Sequence, residues 1–249
     1  RFEEDLASTN NQEVVTVEIR AWQCPSVPSS IPKTYQYNWN ITGVLTPTYR
    51  GAIADYHPVS GIHNSLWDIL GKQPAADTAT LLDGTNDKYV KLNALQLNIP
   101  TKVTSITDGT SNTLLLGERA GHPRYYIGRV DVTDSPTRPA TFGTPGVPMA
   151  SCEGQTTEPA AGMLLSHAGG WGDTTSSSFN FYGSTYDATF QPGPCIMNCT
   201  NDHLLYSFHT GGVNILLCDG SVRFAAEKLT AGVFADLATR AYGEVISLE

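Results

Sequence analysis

The most legible alternation of apolar and polar positions lies near the C-terminus. Val213-Asn214-Ile215-Leu216-Leu217-Cys218 reads as a strand, Ser221-Val222-Arg223-Phe224 as its return, and Asp219-Gly220 as the turn between them. Asp-Gly between such runs is a strong hairpin signal, because a two-residue type I′ turn needs positive φ at both positions. In that register Leu217 faces Val222, Leu216 faces Arg223 and Ile215 faces Phe224, so Ile215, Leu217, Val222 and Phe224 share one apolar face. Asn214, Leu216, Cys218, Ser221 and Arg223 take the other. Val233, Phe234, Leu237, Ala238 and Ala241 then recur at helical spacing. They predict a helix capped by Thr230, with Gly243 as the C′ glycine and Val245-Ile246 as a last short strand.

Upstream the pattern is weaker. The β-branched run Val14-Val15-Thr16-Val17-Glu18-Ile19 favours a strand, with a short helix as the alternative. Cys24-Pro25-Ser26-Val27-Pro28 breaks any regular element, and Tyr49 to Ala54 reads as a strand at the end of an aromatic, alternating stretch. A polar loop containing Asp83-Gly84 follows, and then the strand Leu114-Leu115-Leu116. Residues 131–195 hold Pro136, Pro139, Pro145, Pro148, Pro159, Pro192 and Pro194 with little apolar periodicity. They read as a loop-rich insertion within a single domain spanning 1–249. The fold class expected is α+β, built on an antiparallel sheet.

Composition narrows the function classes. The net charge is -9 with 15 Lys plus Arg, and these are scattered. No basic stripe is present for counterion release, so no nucleic-acid partner is expected. No apolar run approaches the roughly 18 residues of a membrane span. The opening Arg1-Phe2-Glu3-Glu4-Asp5 is too polar for a leader, so any targeting or anchoring segment is expected upstream. Five cysteines, an odd number, leave at least one thiol unpaired within the chain. A disulfide among Cys152, Cys195 and Cys199 would place the chain in an oxidising compartment.

Several segments carry a resemblance. Ser207-Phe208-His209-Thr210-Gly211-Gly212-Val213-Asn214 followed by Asp219-Gly220-Ser221-Val222-Arg223-Phe224 places nine residues between a His and an Asp-Gly. Ile106-Thr107-Asp108-Gly109-Thr110-Ser111-Asn112-Thr113 ends in Gly117-Glu118, and Cys24-Pro25-Ser26 stands near the start. Gly193-Pro194-Cys195-Ile196-Met197-Asn198-Cys199-Thr200-Asn201 and Leu237-Ala238-Thr239-Arg240-Ala241 complete the set. Together they resemble a large planctomycete family of pilin-like proteins of unassigned function, named for its prepilin-type processing-associated His-x9-Asp-Gly domain. The stretch 131–192 lies outside it. The resemblance implies a pilin-like (pseudopilin-like) sheet on which an N-terminal anchoring helix packs, and that helix is absent from this sequence. It also implies a periplasmic or surface location, other pilin-like subunits or envelope components as partners, and membrane contact only through the upstream helix.

Candidate chemistry is sparse. His209 stands in a turn-like context with no second ligand nearby in sequence, and a structural hydrogen bond is the preferred reading. Asn214 and Asp219 are the candidate calcium ligands, although the turn alone accounts for Asp219. No other cofactor is expected. The stretch Asp108, Gly109, Ser111 and Asn112 lacks the G-x-S-x-G elbow and reads as a turn before a strand. Gly211, Gly212 and Gly220 read as backbone positions. No catalytic residue is assigned, and the expectation is a non-enzyme. Trp39, Trp67, Trp171, Phe179, Phe181, Tyr182 and Tyr186 cluster in the loops. Trp171, Phe181 and Tyr182 could form a ligand loop for a glycan or another solute, against the plainer reading of aromatics that cover the core.

Overall fold

The computed structural model describes residues 4, 8–37, 49–72, 93–95, 100–133, 169–172 and 180–243. Asp83-Gly84, Cys152, Trp39, Phe179, Val245-Ile246 and most of 131–195 lie outside the described residues.

Ten short strands and three helices make an α+β fold among the described residues. In chain order they are α1 (Thr9–Val15), β1 (Thr34–Tyr37), β2 (Tyr49–Ala52), β3 (Tyr56–Pro58), β4 (Gly61–Ile62), α2 (Asn64–Leu70), β5 (Leu114–Glu118), β6 (Tyr126–Ile127), β7 (Val130–Asp131), β8 (Asn180–Phe181), β9 (Gly212–Leu217), β10 (Val222–Ala226) and α3 (Ala231–Ala238). The principal sheet runs β10-β9-β5-β3 and is antiparallel throughout. Antiparallel pairs β1–β2 and β6–β7 and the parallel pair β4–β8 flank it. No helix among the described residues is long and apolar enough to cross a membrane.

The strand expected at residues 14–19 does not form; the short-helix alternative is closer, since α1 takes in Val14 and Val15 and the chain from Thr16 to Ile19 is a turn and irregular. Ser8 caps α1, its hydroxyl accepting the Asn11 N–H, and that satisfies one of the orphan donors of the first turn. Thr16 bonds back to the Gln12 carbonyl at 2.7 Å as the helix ends.

The hairpin forms, with its register one residue away from expectation. Leu216 pairs with Val222 and Ile215 with Arg223, because the loop is Cys218-Asp219-Gly220 rather than Asp219-Gly220. Gly220 alone in that loop has positive φ, 85°. Leu217 accepts the Gly220 N–H at 3.0 Å and donates to Ser221 at 3.0 Å, which is the three-residue loop of a turn followed by a left-handed glycine. Contacts from outside the hairpin select it. The Cys218 and Asp219 N–H groups donate to the Thr113 and Thr110 carbonyls at 2.9 and 3.0 Å.

A one-residue shift turns every side chain of the returning strand over. Val222 and Phe224 therefore join Leu216 on the outer face, and Ala225 goes inside, opposite Val213. The inner face of Leu114, Val213, Ile215, Leu217 and Ala225 packs on Leu66 and Trp67 of α2 and Phe234 and Ala238 of α3, with Phe181 and Leu205 filling between. α3 starts at the Thr230 cap as expected but stops at Ala238, short of Gly243. Its continuation is drawn aside by Asp108, whose carboxylate accepts the Tyr242 and Gly243 N–H groups at 2.7 and 2.9 Å.

Candidate functional site

Cys24, Glu118 and His209 meet at one end of the outer sheet face. Glu118 is the last residue of β5 and stands opposite Tyr56 of β3. Gly117 beside it faces inward, since a Cβ there would run into the buried Leu205 side chain, so alternation sends the Glu118 side chain outward. Its carboxylate is nevertheless 0% exposed, covered by the segment that carries Cys24. The Asn214 backbone N–H and side-chain amide both donate to Oε2, at 2.8 and 3.1 Å. Among the described residues Oε1 has no conventional hydrogen-bond partner; it lies 3.4 Å from His209 Nε2, and the Cys24 thiol makes a weak contact with the carboxylate.

Cys24 follows the short turn Arg20–Trp22 and is fixed by its N–H, which donates to Asp55 Oδ2 at 2.7 Å. Its Sγ lies 3.4 Å from the same His209 Nε2. His209 precedes β9 in a loop held by Ser207, whose hydroxyl accepts the His209 N–H and donates to the Gly212 carbonyl. Gly211 makes that turn with φ of 81°. Asn198, between the disulfide-bonded Cys195 and Cys199, accepts the Ser207 N–H at 2.9 Å. Arg129 donates to the His209 and Ser207 carbonyls. On the other side of the ring, Nδ1 lies 3.2 Å from Ser26 Oγ. Among the described residues this is the one place where three ligand-type atoms of His, Cys or an acid lie within 4.8 Å of one another.

The electrostatics follow from burial. Burial, then the Glu118 carboxylate, pushes the Cys24 thiol up to about 12. Burial and the same carboxylate push the Tyr56 phenol upward, and burial lifts Asp55 to about 6. A thiol held that high is the opposite of an activated nucleophile. The geometry agrees. In a nucleophile–base–acid relay the acid orients the base through its far nitrogen, whereas here thiol and carboxylate face the same Nε2.

The other sequence candidates separate. Asn214 donates to Glu118, while Asp219 sits at the far end of β9 with Oδ1 accepting the Ser221 N–H and hydroxyl at 2.8 and 2.6 Å. The structure does not bring the two calcium candidates together. Asp108, Gly109, Ser111 and Asn112 form the turn before β5, with Asn112 N–H on the Gly109 carbonyl and φ of 97° at Gly109. That turn clasps both the hairpin tip and the chain after α3. The aromatic candidates do not share one exposed platform. Phe181 is buried against Phe234, Tyr182 stacks on His63 at 4.0 Å, and the Trp171 indole donates to the Val17 carbonyl.

In the sequence His209 stands isolated, and nothing in the spacing gives Cys24 or Glu118 a role of its own. The one available signal was that all three fall within signature segments. The family model described as SBP_bac_10, Protein of unknown function (DUF1559), covers residues 1–232. No curated protein and no solved structure matches.

Proposed function

The chain belongs to this family of proteins of unknown function, and from that premise we propose that it is a non-enzymatic, pilin-like (pseudopilin-like) component of the bacterial cell envelope. One observation carries the reading, the apolar part of the outer sheet face at β10 that the described residues leave exposed. Val222 is 67% and Phe224 52% exposed, and a groove of about 630 Å³ runs beside them between Trp22, Tyr56, Leu116 and Leu216. Contiguous exposed apolar surface marks a place where something else packs. The pilin-like resemblance implies a long helix laid on one face of such a sheet. The Cys195–Cys199 disulfide supports an oxidising location, periplasm or cell surface. The partners are then other pilin-like subunits or envelope components.

The same groove supports a second reading, a surface-displayed module that binds a glycan or another solute. Its volume suits a small ligand, and Trp22, Tyr56 and Asn214 supply aromatic and polar contacts. Expression of the complete reading frame separates the two. The pilin-like reading expects cleavage by a prepilin-type peptidase and a product held in the membrane fraction by a hydrophobic helix. A mature chain released by an ordinary secretory signal and recovered free of membranes would refute it and favour the binding module.

A further inference from the structure

The three ligand-type atoms of the outer-face site have a geometry that none of the structural roles above requires. Zinc bonds of about 2.0–2.3 Å at tetrahedral angles put neighbouring ligand atoms about 3.3–3.6 Å apart. The edges Cys24 Sγ to His209 Nε2 and His209 Nε2 to Glu118 Oε1 are both 3.4 Å, and the third edge is within 4.8 Å. A second, independent observation points the same way. Glu118 is fully buried, yet among the described residues Oε1 has no conventional hydrogen-bond partner and meets only the His209 ring, with the Cys24 thiol in weak contact with the carboxylate, while Oε2 is saturated by Asn214. A buried carboxylate met by no more than a weak thiol donor and a distant imidazole is costly unless a cation completes it.

We propose that Cys24, Glu118 and His209 bind a single zinc ion, with water in the fourth position. The site does not depend on the envelope reading. Ligand chemistry selects the metal class. A thiolate with an imidazole suits a borderline-soft ion, whereas calcium takes six to eight oxygens. Charge also balances. A dication with one thiolate and one carboxylate is neutral overall, which suits a site closed on the protein side. Binding forms bonds to Sγ, Nε2 and Oε1 and releases the thiol proton to solvent. The outer shell is in place. Ser26 Oγ sits on the far nitrogen of His209, Asn214 holds the far carboxylate oxygen, and Asp55 fixes the Cys24 backbone. Such partners orient metal ligands and set their basicity. The His209 side chain is 28% exposed, which gives the ion an entry path and the fourth ligand access to solvent.

The test uses the chain stripped with a chelator and titrated with zinc against a chromophoric competitor, then with cobalt. One ion per chain is expected, together with a near-ultraviolet cobalt–thiolate charge-transfer band that Cys24→Ser removes and Cys218→Ser leaves intact. Ser26→Ala, at an exposed outer-shell position, should weaken zinc binding by about tenfold, and loss of a direct ligand in His209→Gln or Glu118→Gln by more than that. Near-ultraviolet circular dichroism shows which variants fold. Should Glu118→Gln or Cys24→Ser fail to fold, His209→Gln and Ser26→Ala still decide the matter. The proposal is overturned if no stoichiometric zinc is taken up, if the cobalt band survives Cys24→Ser, or if His209→Gln binds zinc as tightly as the parent chain.

Discussion

His57, Asp55 and His122 lie together beneath the Glu118 end of the sheet and oppose one another as pH changes. His57 Nε2 lies 2.8 Å from the Ala54 carbonyl, and burial, then the charge of Arg119, lowers its pKa to about 3. Burial and Arg119 push His122 well down in the same direction. A histidine held below its unfolded value stays neutral in the fold while the unfolded chain takes up a proton. Its stability contribution is therefore complete above about pH 6.5 and is lost as pH falls toward 3, at up to about 1.4 kcal/mol per pH unit. Asp55 works the other way. Raised to about 6, it favours the fold as pH drops through 6 toward its unfolded value. Two buried histidines outweigh one carboxyl, so the melting temperature should be lower at pH 5 than at pH 7.5, and His57→Gln should narrow the difference. A melting temperature that climbs on acidification would mean that Asp55 dominates.

The residue scale also shows what the sequence could not reveal about the site. Cys24 and His209 are 185 positions apart and meet through a sulfur–nitrogen approach of 3.4 Å. Spacing rules find metal or catalytic sets only where the ligands lie close along the chain, as in C-x-x-C or H-x-x-x-H patterns. This set needs the β3–β5–β9 register to bring Glu118 beside Asn214, and a loop before β9 to swing His209 over it. Neither is written in local periodicity.

At the scale of elements, legibility followed how far each element depends on its own residues. The Thr230 cap, the β9–β10 ribbon and the β5 strand were readable because local pattern and tertiary environment agree. The hairpin register was not, since the Thr110 and Thr113 carbonyls, a hundred residues away, hold the tip in its longer loop. The C-terminal end of α3 was misplaced for a similar reason. Asp108 competes for the Tyr242 and Gly243 N–H groups, and a carboxylate makes the stronger acceptor. The Asp108–Asn112 segment is thus a clasp joining the hairpin, β5 and the chain after α3. Asp108→Ala should cost about 2 kcal/mol, from two charge-assisted hydrogen bonds lost at a half-buried position. Amide exchange at Tyr242 and Gly243 should quicken, while the core strands keep their protection. Unchanged exchange at both amides would show that the clasp holds nothing.

For the molecule as a whole, the decisive asymmetry lies between the two faces of the main sheet. The inner face is sealed by α2, α3 and the Phe181–Leu205 layer. The outer face is partly roofed by the segment carrying Trp22 and Cys24, but leaves Val222 and Phe224 in solvent beside the groove. If these two side chains served the fold, their removal would cost what core truncations cost, several kcal/mol. Because they project outward from β10, Val222→Thr with Phe224→Ser should instead change unfolding free energy by no more than about 1 kcal/mol, as surface substitutions do. Any self-association through this face, measured by sedimentation, should fall, since the double substitution breaks the apolar patch. On the pilin-like proposal, in which an anchoring helix or a neighbouring subunit covers this face, the same pair should impair assembly without impairing folding. A large loss of stability in this chain would make the outer face a second core and remove the reason for expecting a partner there.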